Sequence, residues 1–191
     1  MVTVVERELG PVDVLINNAG IALMRGLDDL TEEDFDLTIA VNLKSAFLCT
    51  QAVLPSMLER GGGRIINGLS AGAFSAGGIY GISKYALHSL TANLASELGP
   101  QGITVNCVSP GLIATPEVIE RYTARAERDG ISTEWPEVER YLLDHVRSNP
   151  SGRVPFPADI GRVVTMVVSE PSWHINGAHL RVDGGAADAV T

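Results

Sequence analysis

Apolar residues along the chain fall into short continuous runs, which alternate with longer stretches of three- and four-residue spacing. The short runs are typical of strands buried in a parallel sheet, and they cover 12–16, 64–69, 103–108 and 179–182. The longer stretches predict helices that end at Leu9 or cover about 32–60, 79–98, two parts of 117–148, and 158–168. This alternation predicts one α/β domain over residues 1–191, with right-handed crossovers in a doubly wound parallel sheet.

Capping and stop signals mark the long helix predicted at 32–60. Thr31 and Asp34 form a capping-box pattern ahead of its apolar stretch, and Gly61–Gly63 end it. Pro55 is expected to bend the helix, because proline lacks the amide hydrogen that an inner turn uses.

Polar residues follow three of the predicted strands at the point where each strand ends. They are Asn17-Asn18, Ser70 and Ser109-Pro110-Gly111. Ligands of doubly wound sheets bind outside the carboxyl ends of the strands. The sequence therefore predicts one ligand-binding edge that gathers all three groups.

Charge and composition narrow the classes of function. The chain has 23 acidic and 14 basic side chains, for a formal net charge of −9. Nucleic acids and anionic membranes bind basic patches, so neither is an expected partner. Glu6, Arg7 and Glu8 lie where a signal peptide needs its apolar core, and no 18-residue apolar span is expected. These features predict a cytoplasmic protein.

Cysteine and histidine indicate no further site. Cys49 falls in a helical pattern and Cys107 in a strand pattern, which suits small buried hydrophobic residues better than a disulfide in a reducing compartment. The four histidines lack a ligand spacing such as H-E-x-x-H, so no metal is predicted.

Tyr80 and Lys84 lie one turn apart on the predicted helix 79–98, and therefore on the same face. A free phenol has a pKa near 10, which makes it a poor proton shuttle at neutral pH. An ammonium about 4 Å away stabilises a phenolate by about 4 kcal/mol at an effective dielectric near 20. Lys84 is expected to make Tyr80 a general acid or base, although an isolated Y-x-x-x-K is more often a solvated surface pair.

Two further side chains are candidates for the same chemistry. The Ser70 hydroxyl ends a buried strand and can donate to a substrate oxygen that gains negative charge, although taken alone it is an ordinary loop serine. Asn42 weakens the helical pattern around it, because its amide competes for backbone partners. It is either a tolerated surface residue or a kink that presents a side chain or a water to the site.

Several motifs follow one another along the chain: NNAG, VNLKSAFLCTQAVLP with Asn42, Ser70, YGISK, VNCVSPGLIAT and INGAHLRVDGG. This succession resembles the short-chain dehydrogenase/reductase family over about residues 5–185, and it looks most similar to 3-oxoacyl-carrier-protein-reductase-like members. The resemblance implies a Rossmann-like fold and NAD(P)-dependent interconversion of a small alcohol and a ketone or aldehyde, with no metal.

The resemblance also implies a role for each matching residue. Tyr80 would be the catalytic acid/base, and Ser70 would orient the substrate oxygen. Lys84 would hold the nicotinamide ribose and favour the phenolate, and Asn42 would support a proton-relay water. The paired asparagines are expected to tie the strand end to neighbouring backbone. Besides Tyr80 and Lys84, the cofactor is expected to contact Asn18, Ala19, Gly20, Pro110, Gly111, Ile113 and Thr115.

The chain departs from the family pattern in two places. Tyr80 follows Ser70 by ten residues, fewer than in many members, which leaves Ser75 as the alternative serine. The family also opens with a glycine-rich turn, T-G-x-x-x-G-x-G, that seats the pyrophosphate at a helix N-terminus. Only 16 residues precede NNAG here, so the chain resembles an N-terminally truncated member that lacks the first three strands. The residue that selects the cofactor lies in that region, so NAD or NADP is expected.

Three hypotheses follow for the activity. The first is an oxidoreductase of this family, seen as a fragment or with a start codon placed too late. The second is a non-catalytic remnant that acts as a binding or oligomerisation partner. The third is cofactor-independent chemistry of the halohydrin dehalogenase type, against which Lys84 counts because those enzymes use arginine.

Three expectations concern surfaces. The resemblance and the outer faces of the two long helices, which carry Phe47 and Leu48, predict a homotetramer. The run 12–16 is expected to form an apolar edge with unpaired backbone groups. The segment 115–150, which carries Tyr122, Trp135 and Tyr141, either contacts substrate or serves packing or subunit contact.

Overall fold

The computed structural model describes residues 1–23, 26–71 and 78–186. The helices are α1 (Val2–Leu9), α2 (Glu32–Ile39), α3 (Ser45–Arg60), α4 (Gly78–Leu98), α5 (Pro116–Arg128), α6 (Trp135–His145) and α7 (Pro157–Val168). The strands are β1 (Val14–Asn17), β2 (Gly63–Gly68), β3 (Ile103–Pro110) and β4 (His179–Val182). Within these ranges the strands form one parallel sheet in the order β1-β2-β3-β4, which confirms the predicted α/β class.

Helices cover both faces of this sheet, because successive strand residues point to opposite sides. Ile65 packs with residues of α3 and α4, including Met57 and Ala95. Ile66, the next residue of β2, packs with Val167 of α7 on the other face. Helices on both faces are the arrangement expected of a doubly wound sheet.

One prediction for β1 is wrong. Its continuous apolar run predicted a strand buried on both faces, yet Val14 is 37% exposed and Ile16 is 49% exposed. Leu15 packs on the α3 side, whereas the apolar cluster around α7 covers residues of β2, β3 and β4 only. In the described sheet β1 pairs only with β2, so the predicted apolar edge is present.

The long helix predicted at 32–60 consists of three parts. Thr31 and Asp34 form the predicted capping box at the start of α2. A π-helical turn, Ala40–Lys44, separates α2 from α3, and Pro55 lies inside α3. Length and composition alone make Glu32–Arg60 apolar enough to cross a membrane, contrary to the expectation that no such span exists. Packing accounts for only part of this apolar composition: Met57 belongs to the core, whereas Phe47 and Leu48 are exposed.

The two cysteines are free. Cys49 is half-buried, whereas Cys107 lies at 0% exposure in β3. Burial raises the pKa of the Cys107 thiol to about 12, which makes it an inert core residue as predicted.

Candidate active site

A cavity of about 260 Å³ lies where the carboxyl ends of β1, β2 and β3 meet the first turns of α4. Its lining combines apolar side chains with an amide, a hydroxyl, a phenol and an ammonium. The lining residues are Asn18, Gly20, Ile21, Ala22, Gly68, Leu69, Ser70, Tyr80, Lys84, Pro110, Gly111 and Ile113. The structure therefore brings together eight of the predicted site residues, whereas Ala19, Asn42 and Thr115 do not line this cavity.

Lys84 is held in place by burial and by one strong contact. It is 4% exposed, and its Nζ donates to the carbonyl oxygen of Gly68 at 2.7 Å. Burial lowers the pKa of Lys84 from its ordinary value, because removal of water disfavours the ammonium. Gly20 lies against this group, and a Cβ added there would be 3.0 Å from Lys84 Nζ. A side chain at position 20 would therefore press on the ammonium.

Asn42 lies at the centre of the π-helical turn and is 1% exposed. Its Oδ1 accepts from the Ile21 amide at 2.8 Å, and its Nδ2 donates to the Ile21 carbonyl at 2.9 Å. Its Nδ2 also donates to Ser83 Oγ at 3.0 Å. The residue is buried, which excludes the surface alternative, and its amide ties the wall segment at Ile21 to α4.

The two neighbouring asparagines, Asn17 and Asn18, have different roles. Asn18 lines the cavity. Asn17 Nδ2 donates to Asn67 Oδ1 at 2.9 Å and to Thr50 Oγ1 at 3.5 Å. The expectation of bonds to neighbouring backbone is therefore wrong for the Asn17 amide, because a buried asparagine lies beside it in the paired strand.

Ser70 lies two residues beyond the end of β2 and lines the cavity together with Tyr80. The alternative serine, Ser75, lies outside the described residues. Tyr80 lies in the first turn of α4, as the helical spacing predicts.

The turn after β3 forms a third part of the wall. Gly111 N donates to the Val182 carbonyl at 3.1 Å, and a Cβ on Gly111 would lie 2.9 Å from Asp183 Cβ. Glycine is needed because the chain passes so close to the end of β4. Asp183 is 4% exposed and pairs with Arg181 at 2.9 Å.

Thr115, which was predicted to contact the cofactor, has a structural role as a helix cap. Its side chain accepts from the Val118 amide at 3.3 Å and caps the N-terminus of α5. The cap is sufficient to explain why a threonine occurs at this position, with no need for a contact to a ligand.

Aromatic residues of the segment 115–150 pack within α5 and α6. Tyr141 is 5% exposed, stacks on His145 with ring centroids 4.8 Å apart and bonds to Asp129. Tyr122 and Trp135 pack against the same buried clusters. Trp135 also lines a separate hollow of about 880 Å³ beside β4, which shares no residue with the cavity at Tyr80. All three aromatics therefore pack internally, and Trp135 in addition borders this hollow.

The sequence did not indicate five residues that contribute to the site. Four of them line the cavity, namely Ile21, Ala22, Gly68 and Leu69, and the fifth, Ser83, bonds to Asn42 and to the Tyr80 carbonyl. Ser83 directly precedes Lys84 on the same helix, but its burial became visible only in the structure.

The cavity fits one half of a dinucleotide. Its donors are suited to ribose hydroxyls, and Pro110, Ile113 and Leu69 supply apolar surface for a flat ring. Its volume of about 260 Å³ is at the lower end for ligand sites, which hold drug-sized molecules in about 300–1,000 Å³. The size and the polar groups of the cavity are therefore compatible with a nicotinamide and its ribose.

Comparison with known families gives a match over nearly the whole chain. Residues 1–187 match the family model described as enoyl-(acyl carrier protein) reductase. The chain is 39% identical over 178 residues to (2S)-[(R)-hydroxy(phenyl)methyl]succinyl-CoA dehydrogenase subunit BbsD of Thauera aromatica, covering 92% of this chain and 65% of that protein. It is 34% identical over 190 residues to D-beta-hydroxybutyrate dehydrogenase of Cupriavidus necator, covering 97% and 71%.

A third relative and a solved structure agree with these matches. The chain is 38% identical to dehydrogenase/reductase SDR family member 4 of Sus scrofa, covering 95% of this chain and 61% of that protein. The structure of L-sorbose reductase from Gluconobacter frateurii, complexed with NADPH and L-sorbose, superposes with a TM-score of 0.87 at 28% identity. That alignment covers 99% of this chain and 72% of the reductase. The chain thus spans roughly two thirds of the length of these relatives.

Proposed function

Because the chain belongs to the short-chain dehydrogenase/reductase family, we propose that it interconverts a small alcohol and a ketone or aldehyde with NAD(P). The observation that carries this proposal is the gathering of Tyr80, Lys84 and Ser70 around one cavity at the carboxyl edge of the sheet. When bound, the nicotinamide supplies or accepts the hydride. The sorbose reductase, solved with NADPH, supports a nicotinamide cofactor, and either NAD or NADP is compatible.

Each side chain has one task in the carbonyl-reducing direction. Tyr80 Oη gives its proton to the substrate oxygen, and the Ser70 hydroxyl donates to the same oxygen as charge develops there. The ammonium of Lys84 stabilises the phenolate that remains. Asn42 supports the water that returns a proton towards this group.

The cavity wall supports a division of the cofactor contacts. Lys84 and Tyr80 would hold the ribose, and Asn18 and Gly20 would line the side towards the adenosine. The apolar surface at Pro110, Gly111 and Ile113 would hold the nicotinamide ring. Ala19 and Thr115 are proposed to contact the cofactor from outside the described cavity.

The first experiment is a titration of the purified chain with NADH and NADPH, followed by nucleotide fluorescence. We expect a dissociation constant in the millimolar range, because the cavity holds only one half of the nucleotide. Turnover is then assayed at millimolar cofactor, with the oxidised form for D-beta-hydroxybutyrate and with the reduced form for L-sorbose and a 3-oxoacyl thioester. Micromolar binding would contradict the half-site interpretation, and the absence of turnover with every probe would contradict the oxidoreductase proposal.

A non-catalytic binding partner is the second candidate, and the open edge of β1 is the observation that favours it. Val14 and Ile16 expose apolar surface beside the unpaired side of this strand. The DNA immediately upstream of Met1 separates the two candidates. An in-frame continuation that encodes T-G-x-x-x-G-x-G would support the oxidoreductase and oppose the remnant.

A homotetramer in the cytoplasm is the proposed assembly and location. The outer faces of α3 and α4 carry large exposed apolar side chains, among them Phe47 at 41%, Leu48 at 49% and Ile82 at 59% exposure. Burial of such patches between copies is a common reason for oligomers. Sedimentation at micromolar concentration is expected to show a species larger than a monomer, and a stable monomer would contradict the assembly.

A further inference from the structure

The buried side of α4 carries a hydroxyl that joins two parts of the active-site wall. Ser83 is 0% exposed and accepts from Asn42 Nδ2 at 3.0 Å. Its own Oγ donates to the backbone carbonyl of Tyr80 at 2.7 Å. The Asn42 amide in turn holds both backbone groups of Ile21, at 2.8 and 2.9 Å. One continuous chain of hydrogen bonds therefore runs from Ile21 to the turn that carries Tyr80.

The two ends of this chain line the same cavity but come from distant segments. Ile21 follows β1, whereas Tyr80 opens α4, and both contribute to the wall. Asn42 lies between them in a π-helical turn, a feature found frequently at functional sites. Ser83 itself does not line the cavity, so it contacts neither substrate nor cofactor there.

We propose that Ser83 is a positioning residue, which sets the distance between the Tyr80 turn and the wall segment at Ile21 through Asn42. This inference rests on the proposed function, in which Tyr80 Oη transfers the proton. Proton transfer needs the donor within hydrogen-bond reach of the substrate oxygen, and a misplacement of about 1 Å can cost about 100-fold in rate. Loss of the Ser83 hydroxyl would let the two wall segments shift independently.

A second link of the same kind supplies a matched control. Thr91 is 1% exposed, accepts from Asn67 Nδ2 at 2.9 Å and donates to the Leu87 carbonyl at 2.8 Å. It lies eight residues beyond Ser83 on α4, or about 12 Å along the helix axis. Both links join a buried asparagine to a helical carbonyl, but only the Ser83 link includes the turn of Tyr80.

The experiment compares the wild-type chain with Ser83→Ala and Thr91→Val, each of which removes one buried hydroxyl. Three properties are measured: kcat and KM for the probe substrate that the wild-type chain turns over, at the same millimolar concentration of its cofactor; the urea midpoint; and the NMR hydrogen-exchange rate of the Ile21 amide. Both variants are expected to lose stability, because each leaves an asparagine N–H without its partner.

The expected outcomes separate positioning from stability. Ser83→Ala should lower kcat by about 10-fold, leave KM within about twofold and speed exchange of the Ile21 amide by about 10-fold. Thr91→Val should keep kcat and Ile21 exchange within about twofold of the wild type. An unchanged kcat in Ser83→Ala, or equal losses of kcat in both variants, would overturn the proposal. If Ser83→Ala does not fold, Ser83→Cys carries the same test, because a thiol is nearly as small and bonds weakly.

Failure of the proposed function gives a different pattern. A wild-type chain without turnover contradicts the oxidoreductase proposal, and the exchange rate of the Ile21 amide then decides whether Ser83 holds Asn42. A wild-type chain with turnover that Ser83→Ala retains contradicts the positioning role alone.

Discussion

Two hollows of the molecule differ in size and in chemistry. The smaller, of about 260 Å³, lies at the carboxyl ends of the strands and includes the buried Lys84. The larger, of about 880 Å³, lies between α6, the segment 151–156 and β4. By size alone, the larger hollow would be the candidate site. Functional sites are better recognised by polar groups that point into one cavity and whose pKa values are shifted by their surroundings.

The difference lies in how the polar groups are held. Beside the smaller cavity, Lys84 and Asn42 are almost fully buried and bond to backbone carbonyls. At the larger hollow, Asp159 pairs with Arg162 on the surface, where the side chains are 43% and 75% exposed. Water screens a pair of that kind, so its net energy is small. Burial therefore makes the smaller cavity the better candidate for chemistry.

The largest effect is expected from Tyr80→Phe, assayed at millimolar cofactor. Loss of the phenol hydroxyl should lower kcat by about 100- to 10,000-fold, because the proton donor is removed. Cofactor binding should stay within about twofold, since the ring remains. Tyr85→Phe is the matched control on the same helix, because Tyr85 is 53% exposed and should keep kcat within about twofold. Substantial kcat in Tyr80→Phe would break the assignment of the smaller cavity.

Lys84→Ala should weaken both turnover and cofactor binding. The ammonium is proposed to contact the ribose and to stabilise the phenolate, so we expect about a 10- to 100-fold loss in each. The Gly68 carbonyl also loses its 2.7 Å donor, which should lower the urea midpoint.

Lys44→Ala is the control for the removal of a lysine, because Lys44 lies exposed at the end of the π-helical turn. It should leave cofactor binding and turnover unchanged. Equal losses in the two lysine variants would show that net charge, rather than the buried ammonium, governs binding.

Local signals in the sequence were sufficient for much of the fold. The strand at 179–182 and the capping box at Thr31 agree with the structure because both depend on neighbouring residues only. The gathering of Asn18, Ser70 and Pro110 was also predictable, since strand ends of a parallel sheet meet at one edge. The place of Tyr80 and Lys84 beside them was expected from the family resemblance, because both lie on a helix.

Long-range contacts could not be predicted in this way. Val14 and Ile16 are exposed because the apolar cluster around α7 covers residues of β2, β3 and β4 only. The pattern of apolar residues in the run 12–16 contains no information about the position of α7. The link from Ile21 through Asn42 to Ser83 involves a backbone group far along the chain. Side-chain partners of Asn17 likewise required the strand register, which places Asn67 beside it.

A smaller effect is expected from Gly20→Ala. The added Cβ would lie 3.0 Å from Lys84 Nζ and 3.4 Å from Asn42 Oδ1, so the ammonium has to move by a few tenths of an ångström. We expect KM for the cofactor to rise by about three- to tenfold, with little change in the urea midpoint. Gly26→Ala is the control, because nothing lies within 4 Å of a Cβ added there. Equal cofactor KM values in the two variants would argue against a close fit around Lys84.

The smallest effect concerns pH and lies on the β4 side. His179 bonds to Ser109 Oγ at 2.7 Å, and its ring centroid lies 5.2 Å from that of His88. Burial, followed by the nearby charges of His88 and Arg181, lowers the pKa of His179, while Asp183 opposes the shift. The unfolded chain therefore binds this proton more readily than the folded one. The resulting stability is complete above the unfolded pKa of about 6.5 and is lost as pH falls towards the lower folded value.

His179→Gln should remove this part of the acid sensitivity. We expect the urea midpoint of the wild-type chain to fall more between pH 7.5 and 5.5 than that of the variant, by a small but measurable margin. His174→Gln, at an exposed position whose ring contacts that of Trp173, should retain the wild-type dependence. The three proteins have the same carboxylates, so the difference between them isolates the effect of the replaced imidazole. An equal fall of the urea midpoint in the wild type and in His179→Gln would show that protonation of His179 does not affect stability. The β4 side would then contribute no acid sensitivity of its own.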